Sequence, residues 1–163
     1  MPDVEFYIIG PTDEDPEYFN ECQQLVDSLG LNDVLTFTGR ANVLEWYAKI
    51  HVVALTSISE GQPLSVMEAN FVGIPCVASN VGSCEELLRG SSPDDIALGP
   101  SGLITPSADP NGTAEALITL LKNPDLRQKM GESGKQRIRT YYDEEDLNFA
   151  YLHLYRNYLA YSE

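Results

Sequence analysis

Ser57-Ile58-Ser59-Glu60-Gly61-Gln62-Pro63-Leu64-Ser65-Val66-Met67-Glu68-Ala69, followed closely by Gly73-Ile74-Pro75-Cys76-Val77-Ala78-Ser79, decides how this chain is read. The apolar run Val52-Val53-Ala54-Leu55 precedes it, and the small polar residues Thr56 to Ser59 end that run, so a buried strand stops and the backbone turns. Pro63 suits the first position of a helix, where a missing N–H costs nothing, and Leu64 to Val72 then carries an apolar face. A second apolar run, Cys76 to Ala78, follows that helix. Glu60 and Glu68, eight positions apart, therefore flank a loop-to-helix turn between two strands.

The free N–H groups at such a helix start, with the positive end of the helix dipole, favour a phosphate. Glu68 lies five residues beyond Pro63, roughly 7–8 Å along the axis. From there a carboxylate could accept hydroxyl hydrogen bonds from a ribose while phosphates sit at the helix start. Glu60, still on the loop, is placed to face a sugar beyond the phosphates.

Outward from this stretch the chain alternates. Val4–Ile9 reads as a strand, Pro16–Leu29 as a helix, Val34–Phe37 as a strand and Val43–Lys49 as a short helix. After the motif come a strand at Cys76–Ala78, a short helix near Glu85–Arg89 and a strand at Gly102–Ile104. Helices at Thr113–Leu121, Pro124–Arg139 and Glu144–Leu159 close the chain. Such alternation predicts an α/β fold, a Rossmann-like parallel sheet with helices on both faces. No Gly-x-Gly-x-x-Gly follows a strand, so a dinucleotide cofactor has little support.

The ordered series Ile8-Ile9-Gly10-Pro11-Thr12-Asp13-Glu14-Asp15-Pro16, Phe37-Thr38-Gly39, the double-Glu motif, Val81-Gly82-Ser83-Cys84 and Gly102-Leu103-Ile104 runs over nearly the whole chain. It resembles the C-terminal donor-binding domain of glycosyltransferase family 4, a retaining family of GT-B fold. Glu60-Gly61-Gln62-Pro63-Leu64 is most similar to the PelF branch, linked to exopolysaccharide synthesis. The resemblance implies transfer of a hexosyl group from a nucleotide diphosphate sugar, with UDP-glucose the natural donor, to an acceptor hydroxyl. Glu60 would be the catalytic residue that orients the donor sugar, and Glu68 would bind the ribose. Ser59, Gly61, Gln62, Leu64, Ser65 and Gly82 would line the donor, and Gly39 and Arg40 follow a strand where family members hold the nucleobase. For Arg40 a plain surface arginine stays an equal reading, and for Gly82 a simple turn does. No metal and no cofactor beyond the donor itself are implied.

The chain departs from the commoner family wording in ways that bear on the site. Pro63 offers no N–H, so a phosphate would use Leu64 and Ser65, and Asn70-Phe71-Val72 replaces smaller residues before Gly73. Glu86 matches a family Glu, whereas Glu85 stands where the PelF branch often has Arg. Against the family pattern the chain also begins one strand and one helix late. It lacks the βα unit whose Arg and Lys contact the diphosphate, and the N-terminal domain that would receive a saccharide or lipid-linked acceptor. The expectation is thus a single nucleotide-sugar-binding domain over 1–163, inactive alone, with 143–163 a helix that would cross to the absent domain. The strands Val4–Ile9 and Val52–Leu55 then either close up directly or expose edges that a second copy could pair with. A reading from another class is a non-catalytic Rossmann-like module that binds nucleotide weakly, or nothing, and serves in assembly.

Composition sets bounds around these readings. At 163 residues with 43% apolar content, the chain can bury about 68–70% of its unfolded surface. No run of 18 apolar residues and no leader-like segment occur, which predicts a soluble, cytoplasmic protein. The net charge of −15 opposes binding to nucleic acid or an anionic lipid surface. Six of the ten basic residues lie between Lys122 and Arg139, leaving the motif short of cations. Three cysteines, Cys22, Cys76 and Cys84, fall in no metal or redox spacing and read as structural thiols, Cys76 buried in its strand. Asp15-Pro16-Glu17 and Asp143-Glu144-Glu145-Asp146 read as helix caps with favourable first-turn charge rather than metal ligands. His51 and His153 have no ligand neighbours. Leu147, Tyr151, Leu154, Tyr155, Tyr158 and Leu159 recur at helical spacing and are expected in the core, or exposed if their natural partner is missing.

Overall fold

The computed structural model describes residues 4–160. Met1–Asp3, read as the lead into the first strand, and Tyr161–Glu163, the end of the 143–163 segment, lie outside the described residues. The chain forms two compact units that divide between Ala48 and Lys49.

The first unit holds β1 (Phe6–Ile9), α1 (Pro16–Ser28), β2 (Leu35–Gly39) and α2 (Val43–Tyr47). β1 and β2 run parallel, with Phe6 opposite Leu35 and a register irregularity between Ile8 and Ile9. Asp15 caps α1 by accepting from the Tyr18 N–H at 3.0 Å, and Pro16 takes the first helical position, as the sequence predicts. Phe19 meets Phe37 edge-on at 5.2 Å between ring centres, fixing α1 on the sheet.

The second unit holds β3 (Val53–Leu55), α3 (Leu64–Val72), β4 (Cys76–Ser79), α4 (Cys84–Arg89), α5 (Pro93–Ala97) and β5 (Gly102–Thr105), then α6 (Pro110–Lys122), α7 (Pro124–Tyr141) and α8 (Glu144–Ala160). Its strands form one parallel sheet in the order β3-β4-β5. β4 is central and every residue of it is buried, which is why it reads as an unbroken apolar run rather than an alternation. Val77 packs with Leu120 of α6 and Met130 of α7, joined by Leu103, Leu117 and Leu126. Cys76 and Ala78 point to the opposite face of the sheet, and Val66, Leu87 and Leu88 are fully buried on α3 and α4. Each such Leu or Val stabilises the fold by about 1.5–3 kcal/mol.

α3 and α7 approach closely. A Cβ at Gly131 would stand 2.0 Å from the Gly73 carbonyl oxygen, and one at Gly134 would stand 2.7 Å from Oδ1 of Asn70. Gly73 itself ends α3 in the left-handed conformation, φ 88°, where a side chain is strained. The stripe of small residues on α7 is thus what lets α3 sit down on it.

Several expectations are corrected here. Pro63 stands one place ahead of the first helical position, as the N-cap of α3. Its ψ of 112° is extended, while its carbonyl accepts from the N–H groups of Val66 and Met67. α5 was not anticipated. Its five residues are too short for periodicity, although the Ser92 hydroxyl accepts from the Asp95 N–H in a recognisable cap. Within the first unit β1 pairs with β2, and within the second β3 pairs with β4. The expected core role of the last helix is overturned: the six residues from Leu147 to Leu159 named above are 51% to 74% exposed. Helical spacing encodes a stripe on α8 and says nothing of what would cover it. Its cap is as predicted, with Asp143 accepting from the Glu145 N–H at 2.9 Å. Among the described residues no helix is long and apolar enough to cross a membrane.

Candidate functional site

The site is built at the carboxyl ends of β3 and β4, where the chain leaves the sheet. Past Leu55 the loop Thr56–Gln62 holds Glu60, which is half-buried. The Ser57 hydroxyl donates to Oε1 of Glu60 at 2.7 Å, so the carboxylate is held from within its own loop. Ser79, the last residue of β4, donates to the Leu55 carbonyl at 3.3 Å and ties the two strand ends together.

The turn after β4 backs this loop. The Ser83 N–H donates to the Gly61 carbonyl at 2.9 Å. Gly82 lies so close that a Cβ there would fall 2.2 Å from the Gly61 oxygen and 2.5 Å from the Glu60 oxygen, and its φ is +52°. Of the two readings open for Gly82, a simple turn is therefore incomplete: the absence of a side chain admits the Glu60–Gly61 backbone. Cys84 follows in the same turn. Burial pushes its thiol pKa up, a hydrogen bond with the Val81 backbone opposes this, and the charge of Glu60 adds to the rise. Burial raises the Cys76 thiol as well, so both thiols stay protonated, in keeping with structural roles.

α3 supplies the other half. Its N-cap is a proline, which has no side-chain acceptor, and its first turn carries no acidic residue. The Leu64 and Ser65 N–H groups find no acceptor among the described residues, and both residues are exposed. Among the described helices α3 alone combines these features. α4 and α7, which also lack a side-chain cap bond, carry Glu85, Glu86 or Asp125 in the first turn. In a chain with 25 acidic residues, this helix start, uncapped and without first-turn acid, is electrostatically the most open to an anion among the described helices. Glu68 is exposed one turn further along the same helix face as Leu64, about 6 Å up the axis. Ser59 and Gln62 are exposed on the loop, and Ile58 and Leu64 add exposed apolar side chains around it.

Thus Ser59, Glu60, Gly61, Gln62, Leu64, Ser65, Glu68 and Gly82 all belong to the second unit, on the loop, the first turns of α3 and the turn after β4. Gly39 and Arg40 belong to the first unit and make their contacts there. Gly39 ends β2 with φ +69°. Arg40 pairs with Glu14 at 2.9 Å and Asp13 at 3.5 Å, both exposed, which gives the acidic loop ahead of α1 a cation of its own. The residue that sequence reasoning missed is Ser57. Its signal was the three-residue spacing to Glu60, short enough within one loop for the hydroxyl to reach the carboxylate.

Residues 1–137 match the family described as "Glycosyl transferases group 1". The chain is 28% identical over 158 residues to N-acetyl-alpha-D-glucosaminyl L-malate synthase of Bacillus anthracis, covering 96% of this chain and 38% of that protein. It is 33% identical over 137 residues to D-inositol 3-phosphate glycosyltransferase of Kineococcus radiotolerans, covering 80% and 31%. The chain therefore spans about a third of the length of these relatives. Among solved structures, sucrose-phosphate synthase from Thermosynechococcus elongatus superposes with a TM-score of 0.83 at 25% identity, covering 98% of this chain and 40% of that one. Anabaena Alr3699/HepE in complex with UDP-glucose superposes at 0.85 with 21% identity, over 96% and 42%, which shows the shared fold.

Proposed function

Because this chain belongs to the group 1 glycosyl transferases, we propose that its second unit is the donor half of a GT-B enzyme of family 4, similar to the PelF branch. In this reading the enzyme moves a hexosyl group, with retention, from UDP-glucose to an acceptor hydroxyl in polysaccharide synthesis. The observation that carries the reading is the start of α3: an uncapped, acid-free helix N-terminus with Glu68 one turn along the same face and Glu60 held on the loop before it.

The chemistry follows from charge. The diphosphate is the leaving group and gains negative charge as the anomeric bond breaks. The Leu64 and Ser65 N–H groups, the Ser65 hydroxyl and the helix dipole stabilise that charge without reorganising. Glu68 accepts from the ribose hydroxyls. Glu60 accepts from hydroxyls of the donor sugar and opposes the positive character that develops at the anomeric carbon, while Ser59, Gly61, Gln62 and Gly82 border the sugar. The acceptor oxygen bonds to that carbon as the anomeric bond to the diphosphate breaks, and its proton passes to the departing diphosphate oxygen. Most of the rate comes from positioning.

Four of the five arginines of this unit are engaged elsewhere. Arg89 pairs with Glu85, Arg127 donates to the Leu120 and Leu121 carbonyls, Arg137 is buried on Asp95, and Arg139 lies 5.5 Å from the Phe71 ring centre. This observation favours a second reading, in which the chain alone binds the nucleotide weakly and turns nothing over. Calorimetric titration with UDP separates the outcomes. Wild type should bind, and Glu68→Ala should weaken binding by roughly 10-fold or more, as for loss of a hydrogen bond to a charged group. Equal binding by both would remove Glu68 from the site, and no heat from wild type would leave the module reading.

A further inference from the structure

We propose that Ser57 is a positioning residue for Glu60: its hydroxyl fixes one oxygen of the carboxylate and thereby presents the other to the donor sugar. The proposal rests on the reading above for what Glu60 faces, and on the geometry of this structure for how Glu60 is held. The Ser57 Oγ to Glu60 Oε1 distance of 2.7 Å is that of a good O–H···O hydrogen bond, and the acceptor is a carboxylate, which strengthens it. Both residues are half-buried, so water competes less than on an open surface. Oε2 of Glu60 has no hydrogen-bond partner among the described residues.

Ser57 can do this because it is itself anchored. It follows the end of β3 by two residues, and Leu55 is tied to β4 through ladder pairing with Ala78 and through the Ser79 hydroxyl. The Glu60 backbone is fixed from the other side, where Gly82, lacking a Cβ, lets the Glu60 and Gly61 carbonyls pack close and the Ser83 N–H bonds to the Gly61 carbonyl. The main chain of Glu60 is thus set by the turn after β4, and its side chain by Ser57. A glutamate otherwise has three rotatable bonds, and freezing them on binding costs affinity for whatever the carboxylate touches. Holding them in advance removes that cost, and it does so for the sugar alone, since the nucleotide meets α3. The hydroxyl has only one proton to give, and donating it to Oε1 keeps Glu60 an acceptor toward sugar hydroxyls. A threonine at 57 would keep the donor and an alanine would lose it.

Two measurements on the 163-residue chain test this. The first needs no ligand: three-bond NMR couplings of the Glu60 side chain should report one rotamer in wild type and in Ser57→Thr, and rotamer averaging in Ser57→Ala. The second is calorimetry with UDP and UDP-glucose. Ser57→Ala should cut the preference for UDP-glucose over UDP by about 5-fold, near the worth of one hydrogen bond, with UDP affinity within 2-fold of wild type. Ser57→Thr should restore the preference. Adding Ser57→Ala to Glu60→Gln should cost nothing further, because the two act through one contact. A single Glu60 rotamer in Ser57→Ala, or equal losses for UDP and UDP-glucose, overturns the proposal. Rotamer averaging in Ser57→Ala combined with an unchanged preference in Glu60→Gln keeps the positioning role and overturns the sugar-facing role of Glu60 instead.

Discussion

Arg137→Ala is the substitution with the largest cost that can be worked out in this structure. The Arg137 side chain is 0% exposed and its partner Asp95 is 1% exposed. Its Nε donates to Oδ1 of Asp95 at 2.5 Å, and its terminal nitrogens donate to the carbonyls of Leu88 at 3.2 Å, Asp95 at 3.1 Å and Gly99 at 2.8 Å. One side chain on α7 therefore ties down the end of α4, the start of α5 and the turn before β5. Truncation leaves a buried carboxylate without its cation, which costs about 3–5 kcal/mol. Against a total stability of about 5–15 kcal/mol for a domain, that is a large share. The expected fall in Tm is about 6–20 °C at roughly 2–4 °C per kcal/mol. Asp95→Ala should cost less than Arg137→Ala, because the guanidinium keeps its three carbonyl acceptors. Urea unfolding followed by circular dichroism, with the m-value held constant, reads the difference directly. A loss below about 1 kcal/mol for Arg137→Ala would refute the argument that this pair is dry and carries the junction.

Two further stability predictions follow from close approach and from burial. Gly131→Ala should destabilise by about 1–3 kcal/mol or more, because the new methyl would lie 2.0 Å from the Gly73 oxygen and force α3 off α7; an unchanged denaturation midpoint would sink this. Tyr142 donates to Glu86 at 3.2 Å, and burial, together with the Glu86 charge, pushes its pKa up to about 12. The folded state thus holds a proton that the unfolded chain releases near pH 10, so stability is lost as pH rises from about 10 to 12. Tyr142→Phe should flatten that alkaline decline, and thermal melts across the range would show it.

Much of this architecture is visible in the residues, and what is not visible has physical reasons. Cys76–Ala78 announces itself because a central parallel strand is apolar on both faces, and Asp15 and Asp143 because capping depends on local chemistry. Arg137 falls on the stripe of α7 that also carries Met130, Ser133, Gly134 and Ile138, but an arginine there names no partner, and only the fold brings Asp95 and the Leu88 and Gly99 carbonyls to it. The stripe on α8 is periodic whether or not anything covers it. The Glu60 to Glu68 spacing and the limits that Pro63 sets are readable in sequence. The Ser57 contact and the close approach of the Glu60 backbone to Gly82 depend on how the chain folds beyond the local sequence. That approach also explains a glycine that the sequence alone could equally assign to an ordinary turn.

The most direct test of the donor-site assignment is a titration of the isotope-labelled chain with UDP-glucose, read residue by residue from its amide spectrum. The account predicts that the largest shifts fall on Gly61, Leu64 and Ser65, with Glu68 next along α3. Shifts confined to the lysine-flanked hollow at Lys122–Lys129, where α6 meets α7, or spread without a centre, would contradict it.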